Sequence, residues 1–221
     1  MESADKYNLW IFNKFAKYIK GKVLEIGCGI GTITQFYADR FDITASDISQ
    51  GYREIVGRRF SGCQNFHTAI IDIESKINAS HEHNYDTIIS SNVLEHIEND
   101  NAALLNMYNI LKEDGTLVLL VPACHVLFSS LDKNVGHYRR YSKAELRKKL
   151  EAAGFSVQEQ FHVNIFGAIG WFFSGRILKK RTLNSGSLSV FNVLVPLFIF
   201  IENTIKIPFG LSIINICKKT K

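Results

Sequence analysis

Three glycines at alternate positions carry the first chemical signal in this chain. Gly27, Gly29 and Gly31 stand in the run Glu25-Ile26-Gly27-Cys28-Gly29-Ile30-Gly31, directly after the short apolar stretch Lys22 to Ile26. A strand that ends in such a bend brings its backbone close to a ligand, because no Cβ stands in the way. Twenty residues after Gly27 comes Asp47, where a nucleotide-binding half-fold sets an acid against ribose hydroxyls. Together the two features point to a nucleoside cofactor, the alternative being a plain glycine turn. The spacing is G-x-G-x-G, not the G-x-G-x-x-G of a dinucleotide site; no Lys or Arg occurs from Val23 to Ala38, and there is no Walker lysine. Sites for phosphates need those features. Glu25 at the bend suits a ligand with an amino group and a sulfonium.

Two histidines are candidate bases. His96 follows the apolar run Tyr85 to Ser90, and His137 precedes Tyr138 and Tyr141 in Gly136-His137-Tyr138-Arg139-Arg140-Tyr141. Imidazole titrates near neutrality and can take a proton from a hydroxyl acceptor. The structural alternatives are a packing residue at a helix start for His96 and a clasp for the His137 segment. In such a clasp Asp132 or Glu145 pairs with Arg139 or Arg140; the paired arginines suit an anionic substrate equally well. His81-Glu82-His83 lies in a polar stretch and reads as a solvated loop, and Cys124 as a core or rim thiol. No metal site is expected: the cysteines Cys28, Cys63, Cys124 and Cys217 form no C-x-x-C pair, and their spacing fits no zinc signature.

The glycine motif with its downstream Asp47 resembles motif I of class I S-adenosylmethionine-dependent methyltransferases. The resemblance runs from about residue 22 to 155. It includes Asp72-Ile73, Ser91-Asn92-Val93-Leu94-Glu95-His96 and Gly136 to Tyr141, which are similar to a small-molecule branch of the methyltransferase-11 and ubiquinone type. Glu113-Asp114-Gly115 departs from the usual Pro-Gly-Gly turn, which affects only a loop. The resemblance implies S-adenosylmethionine as cofactor and a small-molecule methyl acceptor. It sets Gly27, Cys28, Gly29 and Gly31 along the methionine and ribose, Glu25 near the methionine amino group, and Asp47 on the ribose hydroxyls. Ile48 would pack on the adenine, Asp72 would accept from its amino group with Ile73 alongside, and Asn92 and Val93 would line the methionine moiety. His96, His137 and Tyr141 become the catalytic candidates, His96 first, since ubiquinone-type O-methyltransferases carry a similar Leu-Glu-His segment at their active site. Methyl transfer is an in-line displacement, so the protein supplies mainly proximity and alignment. The Asn/Asp-Pro-Pro-Tyr/Phe segment of nucleic-acid amino-methyltransferases is missing, and with it the usual clamp for a flipped base. The runner-up functions are a nucleic-acid or protein methyltransferase and a non-catalytic cofactor-binding module.

The elements that must position these residues follow from hydropathy spacing. Leu9, Phe12, Phe15, Ala16 and Ile19 predict an amphipathic helix over 5–20. Strands are predicted at 22–26, 41–46, 65–71, 85–90, 116–121, 155–163 and 211–217, and helices at 32–40, 50–60, 100–112 and 142–153. Alternating strands and helices with short joints predict a Rossmann-like α/β fold. The sheet has seven strands, mostly parallel with the last antiparallel, and helices on both faces. Glu113 to Gly115 is expected as a turn and 123–141 as a loop. Ser142 with Glu145 reads as a capping box and Gly154 as a helix stop.

The 221 residues are read as one domain: a helical cap at 1–21, a cofactor-binding core at 22–164, a helical insertion at 165–208, and a final strand and tail at 209–221. A net charge of +5 with 46% hydrophobic residues excludes a disordered or fibrous chain and identifies no partner. The N-terminus has no leader pattern and no apolar run spans a bilayer, so a cytoplasmic location is expected. The insertion is rich in aromatic and aliphatic residues from Phe166 to Ile201, interrupted at Pro196, with Arg176, Lys179, Lys180 and Arg181 between its two runs. It reads either as two helices packed on the sheet or as an apolar acceptor channel and peripheral membrane surface with the basic residues at headgroups. The sequence does not fix the acceptor, the methylated atom or the oligomeric state.

Overall fold

The strands with continuous apolar runs lie at the centre of the sheet, as burial on both faces requires. In a computed structural model, which describes residues 5–75, 84–180, 182, 185–204 and 208–220, the strands are β1 (Lys22–Ile26), β2 (Asp42–Ser46), β3 (Phe66–Ala69), β4 (Tyr85–Ser91), β5 (Leu111–Pro122), β6 (Phe155–Val163) and β7 (Ser212–Lys219). They form one seven-stranded sheet in the order β3-β2-β1-β4-β5-β7-β6. Pairing is parallel from β3 through β5, and β7 runs antiparallel between β5 and β6. β1 and β4 are neighbours although two strands separate them in the chain. The connection order reverses there, which opens a crevice at their C-terminal ends. All the predicted cofactor residues lie at such strand ends.

The helices cover both faces. α1 (Asp5–Phe15), α2 (Gln50–Arg59), α3 (Asp100–Ile110) and α5 (Lys143–Ala152) stand close to their predicted spans. Trp10, Ile11, Phe12 and Phe15 of α1 are buried against β1 and β2 core residues such as Val23 and Ile43. Leu104 and Met107 of α3 and Leu146 and Leu150 of α5 fill the other face.

Several expectations are corrected. Residues 32–40 are not an α-helix but turns around one 3-10 turn, Thr34–Phe36. The physical reason is a tertiary constraint: Thr34 and Tyr37 turn their hydroxyls inward onto buried Glu25 of β1, and tertiary contacts of this kind override a local helical pattern. The Glu113 to Gly115 turn is a bulge inside β5: the register passes from Tyr85↔Leu111 to Thr87↔Thr116, with Asp114 at φ +59°. The expected loop after Pro122 holds a 3-10 turn, His125–Leu127, and a short helix α4 (Ser130–Asn134) opened by a reciprocal capping box between Ser129 and Asp132. At α5 Ser142 caps by accepting from the Glu145 amide, while the Glu145 carboxylate turns to His125 at 2.8 Å.

The insertion forms α6 (Ile165–Trp171), a π-helical turn (Phe172–Ile177) and α7 (Ser185–Thr204), which contains Pro196. The Glu202 carboxylate of α7 accepts from the Asn164 and Ile165 amides at 3.0 and 2.7 Å. It thereby caps α6, whose first amides have no partner in their own helix. No helix among the described residues is long and apolar enough to cross a membrane.

Candidate functional site

The glycine bend lies at the C-terminal end of β1. All three glycines adopt positive φ, +70° at Gly27, +54° at Gly29 and +78° at Gly31, a region that costs other residues roughly 1–2 kcal/mol. A Cβ on Gly27 would stand 2.3 Å from Val93 Cγ2, and one on Gly31 2.7 Å from Phe60, whereas one on Gly29 would meet nothing within 4 Å. The outer glycines are thus fixed by packing and the middle one faces open space. Beside it lies a cavity of about 110 Å³ lined by Tyr7, Ile11, Glu25, Gly27, Cys28 and Asn92 among others.

Glu25 is buried, and its Oε2 accepts from the hydroxyls of Thr34 and Tyr37 at 2.6 Å each. Burial pushes its carboxyl up to about 7, against the pull of those two bonds. The buried Cys28 thiol is raised to about 12, mainly by desolvation and further by Glu25, so it stays protonated. Asp47 accepts from the Gly29 amide at 3.0 Å and the Ser49 amide at 2.9 Å. It therefore holds the bend as well as facing it. Ile48, next in the chain, is 75% exposed, while Arg53 donates to the Asp47 and Ile48 carbonyls and pins the turn. Asp72 is exposed and accepts from Ser75 Oγ and the Glu74 amide. Ile73 is buried in the core, and its carbonyl accepts from Asn106. Asn92 is exposed at φ +54°, and Val93 is half-buried against Gly27.

The His96 and His137 rings meet edge to face with centroids 4.7 Å apart. His137 Nδ1 lies 3.0 Å from Asp132 Oδ1, which leaves Nε2 turned toward Glu95 Oε1 at 3.8 Å. Glu95 is fully buried, and neither of its carboxylate oxygens has a hydrogen-bond partner. Desolvation raises its carboxyl to about 8. Desolvation and the neighbouring His137 both lower the His96 pKa, so its ring is neutral at pH 7.

Asp132 is the hub of this segment. Burial alone would raise its carboxyl; bonds from His137, Trp171 and Arg140, with the guanidinium charge, outweigh that and hold it at about 2. Arg140 is fully buried, with Nε 2.7 Å from Asp132, Nη1 donating to the Ala123 carbonyl at 3.0 Å, and its guanidinium over the Trp171 ring. Arg139 pairs with Asp100 at 3.1 Å. The arginine pair thus closes a clasp, and Arg140 is not open to an anionic substrate. Tyr141, expected beside the histidines as a catalytic group, is instead fully buried, its hydroxyl donating to Asp100 at 3.0 Å. It anchors the segment and does not face the cleft. The clasp expected between Asp132 and the arginine pair is present as Asp132–Arg140; sequence reasoning missed the Thr34–Glu25–Tyr37 bonds and the roles of Glu95 and Trp171, a carboxylate between the apolar Leu94 and His96 being the one available hint. His81-Glu82-His83 lies outside the described residues.

Comparison with known proteins places the chain in a family. The malonyl-[acyl-carrier protein] O-methyltransferase of Acetivibrio thermocellus is 31% identical over 126 residues, 56% of this chain and 43% of that protein. The hybrid PKS-NRPS synthetase apdA of Emericella nidulans is 31% identical over 112 residues, 47% of this chain but 3% of the synthetase. The chain therefore spans less than half the length of these relatives. Among solved structures, a Bacillus halodurans C-125 protein superimposes with a TM-score of 0.67 at 20% identity, over 95% of this chain and 99% of that one. An S-adenosylmethionine-dependent methyltransferase of Clostridium acetobutylicum does so with a TM-score of 0.63 at 13% identity, over 98% and 92%. Those two likenesses speak for the fold. The model of the methyltransferase domain matches residues 11–160, so the chain belongs to that family and is a class I methyltransferase whose cofactor is S-adenosylmethionine.

Proposed function

We propose that this chain methylates a small, apolar or lipid-linked acceptor, binding the cofactor over the glycine bend and the acceptor beside His96 and His137. The observation that carries the reading is the open space above Gly29, in the same bend whose Glu25, Gly27 and Cys28 line the cavity. A Cβ would fill that space, the carboxylates Glu25 and Asp47 flank the bend, and the nearby Arg53 and Arg59 are engaged by the Asp47, Ile48 and Ile30 carbonyls, which fits a nucleoside with an ammonium group better than one with phosphates. In this reading Glu25 meets the methionine amino group, Asp47 the ribose hydroxyls, Ile48 and Asp72 the adenine, and Asn92 the methionine end. The bound cofactor supplies the methyl group on an activated sulfonium.

The chain's own part is alignment and the removal of a proton. The exposed His96 imidazole, its pKa lowered by desolvation and by the neighbouring His137, supports that role, and Asp132 orients the adjoining His137 ring. The apolar acceptor is supported by the insertion. Trp171 donates to Asp132 at 3.0 Å, so α6 and the π-turn adjoin the His137 segment. Phe173, Ile177, Val193, Leu197 and Phe200 are all more than half exposed, with Arg176, Lys179 and Lys180 close by in the chain. Side chains of this mix suit a membrane surface or an acceptor with a long apolar tail.

Calorimetry with S-adenosylhomocysteine is the direct test of the cofactor side. Tight uptake is expected; no heat with that nucleoside together with firm binding of NAD or ATP would overturn the reading. For the acceptor side, purified protein should bind anionic liposomes and prefer a prenylated phenol to its short-chain analogue. Indifference to both refutes the apolar acceptor and leaves cofactor binding untouched.

A further inference from the structure

Glu95 is an anomaly that the methyl-transfer reading does not resolve. A carboxylate at 0% exposure with both oxygens unpartnered carries a desolvation penalty of several kcal/mol unless something neutralises it. The facing group is no remedy as it stands. His137 is held by Asp132 through Nδ1, and its Nε2 stands 3.8 Å from Glu95 Oε1, too far for a hydrogen bond. His96 completes the cluster: one ligand atom from each of Glu95, His96 and His137 lies within 4.8 Å of the other two.

We propose that Glu95, His96 and His137 bind a single divalent transition-metal ion, with zinc as the best match. Four features support the assignment. The set is two imidazoles and one carboxylate, a mix that suits zinc and its first-row neighbours; magnesium and calcium prefer all-oxygen shells. Each histidine is steadied from outside the cluster, His137 by Asp132 and His96 by a hydrogen bond to the Gly136 backbone. That is the outer-shell pattern that fixes which ring nitrogen faces a metal. The separations need only a modest contraction toward the roughly 3.4 Å between donors at a zinc with bonds of about 2.1 Å, and exposed His96 is free to supply it. Finally, three protein ligands leave a coordination position open, and the cluster reaches solvent on the His96 side, where the acceptor would enter. A hydroxyl bound there would lose its proton more readily. A lone pair on a metal takes no proton, so in that state the histidines are ligands and not bases.

The inference rests on the proposed function for the ion's role but not for its binding. The test uses the full chain, stripped with a chelator and titrated with cobalt(II) as a spectroscopic probe and with zinc by calorimetry. One equivalent should bind, with intense visible bands of low coordination number and nitrogen ligation. His96→Ala, an exposed change that spares the fold, should weaken binding at least tenfold, as should Glu95→Gln if circular dichroism shows it folded. S-adenosylhomocysteine affinity should stay within about threefold in His96→Ala, which separates failure here from failure of the cofactor reading. A cobalt spectrum unchanged from the aqueous ion, or one-equivalent binding that survives His96→Ala undiminished, would overturn the site.

Discussion

Gly27 and Gly29 share a positive φ, yet they face different surroundings, and the difference is measurable. Gly29→Ala puts a methyl group into open space, so its folding cost is the backbone term alone, about 1–2 kcal/mol. The same methyl stands where the cofactor would approach, and S-adenosylhomocysteine affinity should drop at least tenfold by calorimetry. Gly27→Ala adds a collision with Val93 to the same backbone term and should unfold at clearly lower urea. Glu25 yields a pH signature. Its carboxyl is raised from 4.5 to about 7 by burial. Below pH 4.5 the native and unfolded chains both hold the proton. As the pH rises from 4.5 to about 7 only the unfolded chain gives it up, so ligand-free stability falls across that window. Relative to Glu25→Gln, the wild type should lose roughly 2–3 kcal/mol between pH 4.5 and pH 8, read from urea midpoints at each pH; a constant difference would show that Glu25 ionises freely.

The segment from Ser129 to Tyr141 acts as one element, clamped at both ends. Asp132 gathers Ser129, His137, Arg140 and Trp171 at its start, and Tyr141 closes it on Asp100. Replacing Arg140 by Met leaves Asp132 buried with its guanidinium gone, and removal of one partner of a buried pair costs about 3–5 kcal/mol. The expected result is a large drop in the urea midpoint. Tyr141→Phe removes the hydroxyl shared between Asp100 and the Leu94 carbonyl and should cost about 1–2 kcal/mol while leaving turnover near wild type once an acceptor is known. A turnover loss of a hundredfold in a folded Tyr141→Phe would restore the catalytic role read from sequence.

At the scale of the whole molecule, the cofactor crevice and the insertion lie on a common scaffold. β7, inserted antiparallel between β5 and β6, carries the sheet past the crevice toward α6 and α7. The outward side chains Val193, Leu197 and Phe200 of α7 make an exposed apolar stripe. Changing all three to Ser should alter stability little, since exposed substitutions fall within about 0.5 kcal/mol each. Co-sedimentation with anionic liposomes should be lost. If it persists, the surface serves another purpose.

The sequence by itself determined the sheet, the glycine bend and the acids at strand ends, because each is written in neighbouring residues. Apolar runs point to strands, and closely spaced glycines permit the positive φ that a tight bend needs. It misread 32–40 as a helix because the bonds that unwind it reach back to Glu25 on another strand. It set Tyr141 among the catalytic groups because a tyrosine near a histidine looks the same in sequence whether it faces a cleft or the core. Only the tertiary structure decided that Arg140 turns inward, that Asp132 gathers His137, Arg140 and Trp171, and that Glu95 lies buried without a partner. Those outcomes depend on desolvation and on contacts between residues far apart in the chain, and no local pattern encodes either.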